Sequence, residues 1–334
     1  MTQTTVRIIK NWGYPDLMQQ SPGGLGVWGD IRFVEGENIS ADYVVVLNQP
    51  AKTTDIIASP DRVWAIIQEP PSRYHRFLHR GQSAFGRIYT SDPSLPPRSP
   101  RYRASQPALA WHVDLGFDEL DAMQNAPSKS KDVSWITSTL AFLPGHKLRL
   151  GMLQHIRSAG IVDIFGRGLN PIARKWDGLA PYRYSIAFEN HIGPHYWSEK
   201  LADCFLAVAM PIYVGCTNLE AYFPAGSFVR IDPRKEDPVA AVRAIVESDL
   251  AERNHALVLE ARRRVLHEHQ LFPFVANQIA MDSASPAPPV RLTVKTLGMT
   301  NPIDYGMAVW YWKVSPLMRA TLARLSRPWN QCRF

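Results

Sequence analysis

The residues best suited to chemistry lie within Tyr182–Gly215, whose sequence is YRYSIAFENHIGPHYWSEKLADCFLAVAMPIYVG. Ser198 is a favourable N-cap residue, so the pattern predicts a helix that begins with Glu199 and Lys200. Free backbone N–H groups at a helix start bind anions, and the Lys200 ammonium adds to that attraction. Glu199 can accept hydrogen bonds from a ribose diol, and Tyr196 offers an aromatic face for a base. The combination suits a nucleoside diphosphate, although a capped helix with a surface Glu–Lys pair and a packed tyrosine explains the spacing more simply.

The same segment resembles the signature of the GDP-fucose-dependent α1,3/α1,4-fucosyltransferases. That signature reads F-E-N, five residues, Y, one residue, T/S-E-K, and then a helix followed by P-x3-G. The stretches Val133–Ser138, Val162–Arg167 and Phe223–Asp232 resemble neighbouring parts of the family, so the likeness runs from about residue 132 to 235. The signature positions of this chain are Phe188, Glu189, Asn190, Tyr196, Ser198, Glu199, Lys200, Pro211 and Gly215.

The resemblance implies both a fold and a donor site. The fold is α/β with GT-B architecture, in which two Rossmann-like domains face a cleft, the N-terminal one holding the acceptor and the C-terminal one GDP-fucose. Lys200 would neutralise the pyrophosphate and Glu199 would hold the ribose. Asn190 and Tyr196 would also contact the donor.

Further donor-side residues follow from their positions relative to the signature. The family has a basic residue early in the donor domain that joins the phosphates, and Arg149 is its best match here. Lys147 is the competing match, and a solvated helix face explains both without a ligand. Glu189, like His191 and His195, is a candidate residue of the donor loop. His191 and His195 stand where the family often has Ser and Asp or Glu, so they are either tolerated variation or a source of pH-dependent donor affinity.

Sugar transfer with inversion needs a carboxylate that takes the proton of the acceptor hydroxyl. The family places this glutamate after a strand of the N-terminal domain, and Glu69 in IIQEPP is its best match. Glu69 follows the apolar run Val63–Ile67, at the carboxyl end of a predicted strand, where the clefts of doubly wound sheets lie. Asp114 and Glu119 are the reserve candidates. Aromatic candidates for stacking on the acceptor sugar are Trp28, Trp64, Tyr74, His75 and Trp111.

Short apolar runs separated by turn residues predict the elements that position these side chains. Strands that alternate with helices in both halves indicate two doubly wound α/β domains. Residues 51–60 and 70–81 read as helices or loops, and residues 91–107, rich in proline and arginine, read as a loop. The predicted strands are Val6–Lys10, Tyr43–Leu47, Val63–Ile67, Arg87–Thr90, Val133–Thr137, Val162–Phe165, Tyr184–Phe188, Pro211–Val214 and Phe228–Ile231. The predicted helices are His146–Ser158, Glu199–Ala209 and one or two within Pro238–His269.

We therefore expect three parts in the chain. Residues 1–125 form the acceptor-binding domain, residues 132–275 form the donor-binding domain, and residues 276–334 form a proline-containing linker and a basic aromatic tail. Such a tail suits either packing on the first domain or peripheral contact with an anionic membrane.

The composition narrows the partners and the compartment. A formal charge of +7 favours an anionic partner, but the basic residues are scattered and form no nucleic-acid motif. Three cysteines without metal-ligand spacing indicate a reducing, cytoplasmic location, at the inner face of the membrane if the tail binds there. There is no apolar run of about 20 residues to span a membrane. We expect no metal site and no required cofactor, and stimulation by a divalent metal stays open.

The expected function is transfer of L-fucose from GDP-fucose to O3 or O4 of a GlcNAc- or glucose-type residue in a glycan. One alternative hypothesis keeps the fold and the GDP chemistry but changes the donor sugar. The other is a non-catalytic glycan- or nucleotide-binding module, against which the retained Glu199 and Lys200 argue.

Overall fold

The computed structural model describes residues 3–37, 39–123, 125–141, 144–283 and 285–297. Met1–Thr296 form one compact unit. Within the described ranges, no helix combines the length and the apolar character needed to cross a bilayer. The expected basic aromatic tail falls largely on residues 298–334, which lie outside the described residues, so its membrane contact stays a prediction.

The N-terminal strands are short and mostly apolar. They are β1 (Thr4–Ile9), β2 (Val27–Trp28), β3 (Ile31–Glu35), β4 (Tyr43–Leu47), β5 (Thr54–Ala58), β6 (Val63–Ile66), β7 (Arg87–Thr90) and β8 (Tyr102–Ala104). Seven of them form the first sheet, in the order β2-β3-β1-β4-β6-β7-β8, and only the β2–β3 pair is antiparallel. Every residue of β4 and β6 is buried, because separate hydrophobic cores cover the two faces of the sheet.

A second, wholly parallel sheet forms the other domain. Its strands are β9 (Lys131–Ile136), β10 (Asp163–Phe165), β11 (Tyr182–Phe188), β12 (Met210–Val214) and β13 (Val229–Arg230), in the order β10-β9-β11-β12-β13. The described helices are α1 (Arg76–Arg80), α2 (Phe117–Asp121), α3 (Pro144–Ala159), α4 (Glu199–Leu206), α5 (Pro238–Val246), α6 (Leu250–Arg253), α7 (His255–Arg264) and α8 (Leu271–Ala280). One largely parallel and one wholly parallel sheet, both with helical connections, confirm the α/β fold of two Rossmann-like domains.

The end of the described chain returns to the first domain. After α7 and the π-helical turn Val265–His269, the apolar side chains of Leu271, Phe272 and Val275 on α8 join the core beneath β1 and β4. A last strand, β14 (Val290–Val294), pairs antiparallel with β5. Part of the segment expected to bind the donor therefore packs on the first domain, and part of the expected linker is a strand. The physical reason is the apolar face of α8, which is buried by this packing.

The predicted strands with strong apolar runs are confirmed, and β4 and β7 have the expected bounds. The sequence analysis missed β2, β3, β5, β8 and β14, which are only partly buried. Strand β8 lies within the proline-rich stretch expected to be a loop, and it is at the edge of its sheet, where proline is tolerated. The segment 51–60, expected as a helix or loop, contains β5.

We predict that Gly166→Ala unfolds more easily than the wild type by about 2 kcal/mol or more. Gly166 follows β10 with φ +125°, and a Cβ there would lie 1.8 Å from the carbonyl oxygen of Thr137. Gly151→Ala is the matched control, because Gly151 lies inside α3 with open space around it, and alanine favours a helix by about 1 kcal/mol. Urea unfolding of both variants measures the difference. Equal stability of the two would show that the backbone at Gly166 is not restrained as described.

Candidate active site

A cavity of about 270 Å³ lies between the two domains, where strands of both sheets end. Glu69 reaches it from the residues after β6, and Asn190 reaches it from the residues after β11. Clefts at the carboxyl ends of parallel strands are the usual ligand sites of such folds. The lining residues are Trp12, Tyr14, Pro15, Asn48, Gln68, Glu69, Leu109, Ala110, His112, Asn190, Tyr196, Glu199 and Lys200.

The backbone around Glu69 is held by a side chain from the neighbouring strand. Asn48 directly follows β4, which pairs with β6, and it adopts φ +60°, a conformation that asparagine tolerates better than most residues. Its side-chain oxygen accepts hydrogen bonds from the backbone N–H groups of Gln68 at 2.7 Å and Glu69 at 3.3 Å. The amide of Asn48 thereby fixes the direction in which the chain leaves β6.

Two histidines, His75 and His79, lie close to Glu69. The ring of His79 is fully buried, and burial lowers its pKa to about 4, so it is neutral at pH 7. Its Nε2 lies 3.0 Å from the Glu69 carbonyl oxygen and its Nδ1 lies 2.6 Å from the hydroxyl of Thr90, which fits a tautomer that donates to Glu69. The Glu69 side chain is 47% exposed, and its Oε2 lies 3.7 Å from Nε2 of His75.

On the second domain, Ser198 forms the predicted N-cap of α4 and hydrogen-bonds to the buried side chain of Glu189. Its side-chain oxygen accepts a hydrogen bond from the backbone N–H of Lys200. The carboxylate of Glu189 accepts hydrogen bonds from the Ser198 backbone N–H at 2.7 Å and its hydroxyl at 2.6 Å. Glu189 is fully buried and does not line the cavity, so here it acts as a support for the helix start. Burial raises the pKa of Glu189 to about 7.

Glu199 and Lys200 form an ion pair in the cavity wall, with 2.8 Å between Glu199 Oε1 and Lys200 Nζ. Burial alone would lower the pKa of Lys200, but the carboxylates of Glu199 and Glu189 outweigh it and raise that pKa. Burial would raise the pKa of Glu199, but Lys200, Lys175 and His112 lower it far below its usual range. Both groups are therefore charged at neutral pH, as an anion-binding lysine and a hydroxyl-binding carboxylate require.

Tyr196 and Asn190 line the same cavity as Glu199 and Lys200. Tyr196 is only 3% exposed, and its ring packs edge-to-face against His191 with centroids 5.8 Å apart. Asn190 accepts a hydrogen bond from Arg149 at 3.4 Å. Packing thus holds the ring of Tyr196. The side chain of Asn190 is held by its hydrogen bond with Arg149, which lies outside the cavity lining.

Arg149 is buried and lies outside the cavity lining. Its guanidinium also donates to the carbonyl oxygens of Ser138 and Leu140, and burial lowers its pKa to about 10. Its Nε is buried without a hydrogen-bond partner among the described residues. In this arrangement Arg149 supports Asn190 in the cavity lining, and its contact with phosphate stays a prediction. Lys147, the competing match, is exposed on α3.

The structure does not bring His191 and His195 into the cavity lining. The Nδ1 atom of His195 lies 2.6 Å from the hydroxyl of Tyr222, and its backbone N–H donates to Asn218. Burial lowers the pKa of both histidines. That they make donor affinity depend on pH stays a prediction.

The sequence analysis missed the wall formed by Trp12, Tyr14 and His112. Trp12 and Tyr14 closely follow β1, and this position at a strand end was the available signal. Tyr14 is 62% exposed, and its hydroxyl hydrogen-bonds to the carboxylate of Asp114. The reserve base Asp114 is thereby occupied outside the cavity lining. Glu119, the other reserve, accepts a hydrogen bond at the start of α2 and also lies outside it.

The expected acceptor-stacking residues do not reach the cavity lining. Trp64 and Trp111 are buried in the hydrophobic cores, as large aromatic side chains of α/β domains usually are. Trp28 packs edge-to-face against Phe117. In the part of the chain that the structure describes, no cluster of three or more acidic, histidine or cysteine side chains could hold a metal ion.

We predict that Glu189→Gln changes how stability depends on pH. A glutamate titrates near pH 4.5 in the unfolded chain but near 7 in the folded one, so the unfolding free energy of the wild type falls as the pH rises through this window. The glutamine side chain cannot ionise and can still hydrogen-bond Ser198. Relative to the wild type, the variant gains on the order of 3 kcal/mol between about pH 4.5 and 8. Urea unfolding across this range measures the difference, and a constant difference would contradict the burial of an ionisable group here.

Comparison with known proteins finds a family match in the second domain. Residues 126–242 match the family described as glycosyltransferase family 10 (fucosyltransferase), C-terminal part. Over 202 residues the chain is 26% identical to the 3-galactosyl-N-acetylglucosaminide 4-alpha-L-fucosyltransferase FUT3 of Pongo pygmaeus, covering 59% of this chain and 50% of that one. It is 28% identical over 140 residues to the human 4-galactosyl-N-acetylglucosaminide 3-alpha-L-fucosyltransferase FUT6, covering 40% and 37%.

The chain thus spans about half the length, or less, of these curated relatives. Among solved structures, it is similar to an alpha1,3-fucosyltransferase crystallised with GDP-fucose, with 17% identity and a TM-score of 0.47. That similarity covers 80% of this chain and 92% of the other. The resemblance to the fucosyltransferase family is confirmed over residues 126–242, a segment that contains the whole signature from Phe188 to Gly215.

Proposed function

We propose that this protein transfers L-fucose from GDP-fucose to a hydroxyl of a glycan, with inversion at the sugar carbon. One observation carries the proposal. Glu69 of the first domain lines the same cavity as Asn190, Tyr196, Glu199 and Lys200 of the second. An acid that can take a proton therefore faces the groups that suit a nucleoside diphosphate.

The reaction in this cavity joins two bond changes and one proton transfer. The acceptor oxygen forms a bond to the anomeric carbon of fucose while the bond from that carbon to the β-phosphate oxygen breaks. Glu69 takes the proton of the acceptor hydroxyl, and GDP leaves. Attack from the face opposite the leaving phosphate inverts the configuration. The chemistry requires no redox partner and no covalent intermediate with the protein.

Charge that develops on the leaving GDP needs stabilisation from the donor wall. Lys200 supplies a cation, and the dipole of α4 adds partial positive charge at the start of that helix. Glu199 stands beside them as the acceptor for the ribose hydroxyls. Because cations and dipoles meet the charge, a metal ion is not needed for this step.

The acceptor lies on the side of the cavity formed by the first domain. Trp12 and Tyr14 provide aromatic surface there, and the apolar face of a sugar ring packs well on such side chains. We propose a GlcNAc- or glucose-type residue with a free O3 or O4 as the acceptor. A different donor sugar is the second candidate, and competition between GDP-fucose and GDP-mannose separates the two. A cytoplasmic location stays a prediction.

We predict that Glu69→Gln lowers kcat for acceptor-dependent GDP release by roughly 10²–10⁴-fold, because the amide cannot accept the proton. The affinity for GDP stays within a factor of about two, because Glu69 belongs to the other domain. GDP release is measured with GDP-fucose and a panel of LacNAc, lacto-N-biose, GlcNAc and glucose, and GDP binding by calorimetry. Undiminished turnover in the variant would remove Glu69 from the mechanism, and no turnover of the wild type on any of these acceptors would redirect the acceptor assignment.

We predict that Lys200→Met weakens GDP binding by roughly 10- to 100-fold, the usual loss for one charge-assisted contact. Lys147→Met is the matched control, because Lys147 is an exposed lysine outside the cavity lining, and its GDP affinity should match that of the wild type. Calorimetry with GDP measures both variants, and thermal melts check that both are folded. Similar losses in the two variants would point to general electrostatic attraction rather than a site at α4.

A further inference from the structure

The backbone of Glu69 is restrained more tightly than its carboxylate. Asn48 holds its N–H and His79 holds its carbonyl oxygen, at 3.3 and 3.0 Å. The side chain, however, is 47% exposed, and such a carboxylate samples several rotamers. Proton transfer needs one of them, because a base must lie within hydrogen-bond reach of the hydroxyl that it deprotonates.

His75 is placed to select that rotamer. It immediately precedes α1, and its side chain is only 8% exposed. Its Nδ1 lies 3.2 Å from the hydroxyl of Ser72, and its Nε2 lies 3.7 Å from Oε2 of Glu69. The ring therefore bridges a loop hydroxyl and the proposed base.

The contact with Ser72 fits a tautomer of His75 whose Nδ1 accepts a hydrogen bond. If the hydroxyl of Ser72 donates to Nδ1, a ring proton is on Nε2, which then faces the Glu69 carboxylate. A distance of 3.7 Å between Nε2 and Oε2 is longer than a hydrogen bond. Catalytic hydrogen bonds often start long in the free enzyme and tighten when the substrate is bound.

We propose that His75 is a positioning residue, which donates a hydrogen bond from Nε2 to Oε2 of Glu69 in the acceptor complex and leaves Oε1 to take the acceptor proton. This inference rests on the proposed function, since it assumes that Glu69 is the base. Histidine performs no chemistry of its own in this role. Its effect passes entirely through Glu69.

A matched pair of substitutions separates the two ends of the ring. His75→Gln keeps a nitrogen donor near the position of Nε2, whereas His75→Asn keeps a polar atom near Nδ1 but cannot reach Glu69. We expect kcat to fall by about 10-fold or more in His75→Asn and to recover to within a few-fold of the wild type in His75→Gln. GDP affinity, measured by calorimetry, and the KM for GDP-fucose should be unchanged in both.

The decisive comparison uses Glu69→Gln as the background. If His75 acts only through Glu69, adding His75→Asn to Glu69→Gln should lower the residual turnover no further, so the two losses are not additive. Additive losses, or full activity of His75→Asn alone, would overturn the inference while leaving Glu69 as the base. Equal turnover of Glu69→Gln and the wild type would instead remove Glu69 as the base and overturn this inference, while leaving the transfer reaction itself in place.

Discussion

The contact between Glu189 and Ser198 is the interaction on which the donor side of the cavity depends. A fully buried carboxylate accepts both hydrogen bonds that Ser198 can donate, and this fixes the residue at which α4 begins. The position of Glu199 and Lys200 follows directly, because they are the first two residues of that helix. Burying an acid is costly, and the raised pKa of Glu189 is the sign of that cost. The cost is tolerated because the carboxylate orders the helix start at which the proposed site is built.

A second constraint joins the domains across the cavity. The segment that leads from the first sheet to α2 is held by amide side chains, since both the N–H and the carbonyl of Trp111 hydrogen-bond to Gln20. The next residue, His112, donates its backbone N–H to the buried carboxylate of Asp203, which also pairs with Lys175 at 2.9 Å. Asp203 is on α4. The helix that carries Glu199 and Lys200 therefore also accepts the hydrogen bond from His112. The two walls of the cavity are therefore linked through one element.

The first domain uses a comparable arrangement on a smaller scale. Asn48 and Glu69 follow adjacent parallel strands, so their distance is set by the spacing of the sheet. Neutral His79 then completes the restraint of the Glu69 backbone from α1. The proposed base, Glu69, thus follows a strand end, and the lysine proposed to bind phosphate, Lys200, is at a helix start. Both positions are more rigid than long loops.

The sequence by itself determined the apolar strands such as β4, the capped start of α4 and the positions of the signature residues, because these depend on local patterns of burial, capping and spacing. It also placed Glu69 at a strand end. Only the tertiary structure decided that α8 returns to the first sheet, that Arg149 supports Asn190 from behind, and that Trp12 and Tyr14 form a cavity wall. Those features depend on which surfaces meet between segments far apart in the chain, and no short pattern in the sequence records such contacts. The burial of Trp64 likewise depends on distant segments that pack over it, so the sequence did not exclude a role in stacking on the acceptor sugar.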